Sequence, residues 1–116
     1  MTKTEFKKIW DLLPEDEETK NYSPSDTDKF VQISGYLFAV QKSGNVIMKK
    51  WRKSAYTLCE VFRAFRIWCR TRRIQYLRIE GDKTRYNFIK KMFPFDSILK
   101  DEEVDNRNVF YVKLYD

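Results

Sequence analysis

Four arginines, Arg63, Arg66, Arg70 and Arg73, recur at 3-4-3 spacing. On a helix of 3.6 residues per turn that spacing stacks them into one stripe. Guanidinium groups so arrayed suit anions, because each offers a planar fork of N–H donors to a carboxylate or phosphate. Arg72 adds to this stripe, and Lys49, Lys50, Arg52 and Lys53 form a second basic cluster upstream. The chemistry expected is anionic docking, either to nucleic-acid phosphates with salt-dependent affinity or to an acidic protein face. Nothing matches a helix-turn-helix, an RRM aromatic motif or a KH loop, so any nucleic-acid contact is expected to be nonspecific.

Other chemistries are poorly supplied. The chain has no histidine and only two cysteines, which excludes a His-based triad and leaves no Cys/His cluster for a metal. Cys59 and Cys69 lie ten residues apart. On one helix they would stand about 15 Å apart, too far to bridge, and they read as reduced core thiols. Glu80 and Asp82 flank a strand-end turn, where a carboxylate is either a general base or, more ordinarily, a cap or a solvated charge. The net charge is +6, which permits an anionic partner without naming one. The opening MTKTEFKKIWDLLPEDEE has no apolar signal-type core, and no run approaches about 18 apolar residues. The expectation is a chain neither secreted nor membrane-spanning, with no membrane partner.

These groups need elements to hold them. Phe6, Ile9, Trp10 and Leu13 recur at helical spacing, predicting a helix over 2–13 that Pro14 stops. An acidic, polar stretch from Glu15 to Asp28 reads as a surface loop or tether, so residues 1–28 are set apart from a domain over 29–116. Phe30 to Ile33 and Tyr36 to Val40 read as strands around Ser34-Gly35, a bulge or tight hairpin. The second run is apolar on both faces, as a strand covered on both sides would be. Val46 to Met48 is a third short strand. Leu58, Val61, Phe62, Phe65 and Cys69 define the apolar stripe of a long helix from about Arg52 to Arg72, about 100° round from the arginines. Ile67 and Trp68 fall off that stripe. A strand at Tyr76 to Ile79, a helix from Arg85 to Met92 ended by Pro94, and two strands, Ser97 to Val104 and Val109 to Tyr115, complete the chain. Strand, long helix, strand implies a parallel pair, and the hairpins add antiparallel neighbours. The fold class expected is α/β of the α+β kind: a mixed, mainly antiparallel sheet flanked by helices.

This order, together with the stretch EGDKTRYNFIKKMFPF at Glu80 to Phe95, resembles the GNAT acetyltransferase superfamily. Asp82 stands where that family often has an Asn, Phe88 where it has a Phe, Lys91 where it has a Lys, and Phe93 or Phe95 where a closing Phe falls. Gly35 and Ala39 in the central strand, with the pair Trp51-Arg52 before the long helix, resemble short GNAT-like proteins of tailed bacteriophages. The resemblance implies a reduced GNAT-like fold, a life in the host cytoplasm and in the virion, and a phage structural protein as partner.

It also implies a test of enzyme function. Family members hold the coenzyme A pyrophosphate with Arg/Gln-x-x-Gly-x-Gly/Ala at the start of the long helix, where glycines free the backbone amides to face phosphate. Here Lys50-x-x-Lys53-x-Ala55 keeps the spacing, but Lys53 replaces the first glycine. Lys50, Arg52, Lys53 and Ser54 are the cofactor-binding residues only if acetyl-coenzyme A binds at all. The tyrosine that often serves as acid would follow Phe88, but Ile89 is there and Tyr86 lies on another face. The reading is therefore of no catalytic residues, no resident cofactor and no metal. It describes a non-enzymatic interaction protein docking through Arg63, Arg66, Arg70 and Arg73. An acetyltransferase with a non-standard phosphate site and a nonspecific nucleic-acid binder are the alternatives. Phe6, Trp10, Tyr111 and Tyr115 are further candidates to meet a second chain.

Overall fold

The computed structural model describes residues 1–93 and 97–116. The elements run α1 (Lys3–Trp10), β1 (Lys29–Ile33), β2 (Tyr36–Val40), β3 (Val46–Lys50), α2 (Leu58–Thr71), β4 (Tyr76–Gly81), α3 (Lys83–Lys90), β5 (Ile98–Val104) and β6 (Arg107–Lys113). The strands form two three-stranded antiparallel sheets, ordered β1-β2-β3 and β4-β6-β5. The fold is α+β, mainly antiparallel and flanked by helices. The expectations for Pro94 and Phe95 fall outside the described residues.

The parallel pair expected across the long crossover is reduced to a single bridge, Asn45 beside Arg78. The Arg78 N–H donates to the Gly44 carbonyl at 2.8 Å. Gly44 takes φ 89°, and a Cβ there would lie 2.8 Å from the Tyr76 carbonyl oxygen, so a bare backbone is required for this approach. Past the bridge no ladder forms between β3 and β4 among the described residues, and side chains of both strands line a cavity there.

Each helix covers a defined face. β2 alternates so that Phe38 and Val40 join the cluster beneath α2, whereas Leu37 and Ala39 face α1. The α2 stripe of Val61, Phe62, Phe65 and Cys69 is buried, and the Phe65 ring stacks on Phe38 at 4.2 Å between centroids. The same core takes in Leu77, Ile79, Phe110 and Val112 of the second sheet, with Tyr86 and Ile89 from α3. On the opposite face of the first sheet, Phe6 is fully buried and meets Phe30 at 4.6 Å between ring centroids. Phe6 and Trp10, candidates for a second chain, are thus occupied within this one.

The long helix starts at Leu58, later than Arg52. A capping box sets that start: the Thr57 hydroxyl accepts from the Glu60 N–H, and the Glu60 carboxylate accepts from the Thr57 N–H. The chain before it is held out of helix by Gly35, whose carbonyl accepts the N–H groups of Trp51 (2.7 Å) and Arg52 (3.2 Å). Ser34 at φ 53° and Gly35 make the two-residue turn joining β1 to β2. A Cβ on Gly35 would sit 2.0 Å from the Arg52 carbonyl oxygen.

The polar stretch after α1 is not a loose tether. Thr19 and Asp28 are buried. Asp16 accepts from the Thr19 hydroxyl (2.8 Å), and Asp28 accepts from the Tyr22 hydroxyl (2.6 Å). Glu18 pairs with Arg107, far along the chain. Sequence periodicity reads apolar spacing, and this segment is held by polar contacts that have none.

Candidate functional site

Three places carry the charged residues singled out by the sequence: the outer face of α2, the segment before α2, and the cleft between the sheets.

On α2, Arg63 and Arg70 are exposed and Arg66 is half-buried. Arg66 lies with its guanidinium 5.6 Å from the Phe93 ring centroid, in the range of a cation–π contact. Burial, and then the charge of Arg70, lower its ionisation from the ordinary guanidinium value. Its Nε is buried without a hydrogen-bond partner among the described residues. Arg70 donates from Nη2 to the Leu114 carbonyl at 3.1 Å. Arg73 follows the helix in left-handed backbone, φ 59°, with its own N–H bonded to the Arg70 carbonyl and the Ile74 N–H bonded to the Cys69 carbonyl. That is a Schellman ending with arginine where glycine usually stands. Among the described residues, Arg63, Arg66, Arg70, Arg72 and Arg73 have no carboxylate within ion-pair reach. Lys3, Lys7, Lys20, Lys90 and Lys113 each have one. The structure thus brings Arg63, Arg66 and Arg70 onto one face, with Arg73 at its end. Arg70 and Arg73 continue into a groove of about 710 Å³ shared with Lys113, Leu114, Tyr115 and Asp116.

The upstream cluster divides. Lys50, Arg52 and Lys53 are exposed, and Arg52 stacks on Trp51 at 4.4 Å. Lys49, grouped with them by sequence, is buried instead. Its amine lies 3.7 Å from Asp16 and 4.9 Å from the Trp10 ring centroid. It therefore belongs to the contact that holds residues 15–28, not to a docking surface. The backbone here is committed. The Ala55 N–H donates to Ser34 Oγ (2.9 Å) and the Tyr56 N–H to Ser54 Oγ (3.1 Å), while Ser54 Oγ itself donates to Ser34 Oγ at 2.7 Å. With Trp51, Arg52 and Thr57 bonded as above, most amides of 51–57 point at partners in the chain.

The third place lies where β3 and β4 part. A cavity of about 60 Å³ is lined by Ile47, Met48, Phe62, Ile79 and Ile89, with Glu18, Glu80, Arg85 and Arg107 at its polar side. The Glu80 carboxylate is 2.7 Å from Arg78 and 3.4 Å from Arg107 Nε, and Arg107 also holds Glu18. Burial raises the Asp16 carboxyl, but hydrogen bonds from Thr19 and the charges of Lys49 and Arg85 outweigh it and leave it below its usual value. Asp82 does not enter the cleft. It caps α3, accepting from the Arg85 N–H at 2.9 Å. Tyr86 is buried edge-on to Phe110 with its hydroxyl unpaired among the described residues. Sequence reasoning did not find Glu18 or Arg107, because only the folded sheet brings them together.

Among the described residues no group of His, Cys, Asp and Glu is arranged to hold a metal ion, and no helix is long and apolar enough to cross a membrane. No protein-family model matches the chain, and neither a curated protein nor a solved structure matches it.

Proposed function

We propose that this chain is a non-enzymatic interaction protein on a GNAT-like scaffold, a phage structural or host-interacting component that docks an anionic partner through the arginine face of α2. The observation that carries the reading is the row of arginines without acidic partners among the described residues. Like-charged groups held together repel, and lowering that repulsion is what an incoming anion offers. The scaffold part is supported by the strand order β1-β2-β3 beside β4-β6-β5, by the long helix between β3 and β4, and by the parting of those two strands.

The residues before α2 do not fit a coenzyme A pyrophosphate. A cradle needs several unbonded amides converging on one point, and here Gly35, Ser34, Ser54 and Glu60 take those of Trp51, Arg52, Ala55, Tyr56 and Thr57. In the cleft Ile89 brings no proton donor, and Glu80 is tied by two arginines.

Charge reversal tests the docking face. Arg63→Glu with Arg70→Glu should lower affinity for poly-glutamate by at least about tenfold at low salt. Both side chains are exposed, but Arg70→Glu also removes the bond to the Leu114 carbonyl, so the variant's melting curve is recorded and affinities are compared where it is folded. Unchanged affinity defeats the reading. Calorimetric titration with acetyl-coenzyme A checks the alternative, and micromolar binding would favour an acetyltransferase.

A further inference from the structure

The arginine face is not purely charged. Ile67 is 57% exposed, and it lies four residues after Arg63 and three before Arg70, hence between them on the helix surface. An apolar side chain flanking a row of cations gains from a partner only if that partner covers it with carbon. A phosphodiester backbone offers oxygen at that position, whereas a protein segment can offer both carboxylates and an apolar side chain. The groove beyond Arg70 and Arg73 repeats the mixture of cation and carbon with Lys113, Leu114 and Tyr115, and Asp116, paired with Lys113, stands at its edge as its one carboxylate among the described residues. From Arg63 to Arg73 the face extends about 15 Å, the length of roughly three helical turns.

We propose that this face binds an acidic amphipathic segment of a partner protein. Ile67 serves as the apolar anchor, and Arg63, Arg70 and Arg73 receive the carboxylates. The proposal rests on the reading of α2 as a docking face and specifies its partner by chemistry. Charge fixes the approach and register, and covering Ile67 supplies selectivity over other polyanions. Arg66, held against Phe93, sets the inner edge of the face.

Fluorescence anisotropy on the full chain tests it with three labelled probes. One is an acidic peptide of about 18 residues with leucines at helical spacing. The second has the same length and charge but serine in place of leucine. The third is a short DNA duplex. The leucine peptide should bind about tenfold more tightly than the serine peptide, and Ile67→Ser should bring the two within about twofold. Ile67 is exposed, so this variant is expected to fold, and its melting curve is recorded alongside. Equal binding of the two peptides by the unmodified chain overturns the proposal, as does duplex DNA binding more tightly than the leucine peptide. The two readings fail differently. If both peptides bind equally but Arg63→Gln with Arg70→Gln weakens them, only the apolar anchor is lost. If the arginine variant binds like the unmodified chain, the docking face itself is wrong.

Discussion

The Tyr22 hydroxyl donates a hydrogen bond to Asp28 at 2.6 Å, and burial, then the bonded carboxylate, raise its ionisation well above the ordinary phenol range. A group whose folded pKa is raised stabilises the fold below its unfolded pKa, about 10 for tyrosine, and loses that contribution as pH climbs past it. Urea denaturation should therefore show stability declining from about pH 10 upward. Tyr22→Phe should begin about 1 kcal/mol lower at neutral pH, having lost one hydrogen bond, and should decline less over the alkaline window. An equal decline in both proteins would mean other groups dominate. At this scale the sequence was informative where spacing carries the signal. The arginine repeat and the off-stripe Ile67 were both legible. The burial of Lys49 was not, since it depends on Trp10 and Asp16, which only folding brings near. Glu18 and Arg107 were invisible for the same reason.

Elements were legible in kind and order, less so in their ends and pairings. Apolar period placed every strand and helix, and β5 and β6 meet through Asp105 and Asn106, both at positive φ (49° and 65°), as a short hairpin turn requires. α2 starts at Leu58, later than the basic run suggests, at the capping-box pair Thr57 and Glu60. The basic run from Lys49 carries no cap, whereas the Thr57 hydroxyl and the Glu60 carboxylate do. At the other end of α2, Arg73 keeps left-handed backbone that costs an L-residue about 1 kcal/mol. Arg73→Gly should remove that strain and raise stability by about 0.5 kcal/mol, after allowance for the greater freedom of glycine when unfolded. It should also weaken anion binding. Urea denaturation and poly-glutamate affinity measured on the same variant separate the two effects, and a stability loss would show that the guanidinium itself holds the helix end.

Over the whole molecule, two apolar clusters share one sheet. The larger lies under α2 and α3, and the smaller holds Phe6 against Phe30, Leu37 and Ala39. Residues 1–28 therefore contribute to stability as packing, which an amphipathic pattern alone could not establish, because it reads the same on a partner as on the chain itself. Phe6→Ala should cost about 3–5 kcal/mol, a cavity left in a fully buried site. That is a large share of the roughly 5–15 kcal/mol that holds a typical domain folded. A loss under about 1 kcal/mol on urea denaturation would mean the helix is dispensable. The pairing across the molecule's middle was the least legible feature, since a parallel contact of one residue leaves no periodic trace. Yet it has a mechanical meaning. Tension applied across a broad ladder is shared among many rungs, whereas here it falls on Arg78 bonded to Gly44 and Asn45, on the Glu18–Arg107 pair and on the greasy layer behind them. Stretched from its two rims, the protein would tear along its own midline before either leaf came apart.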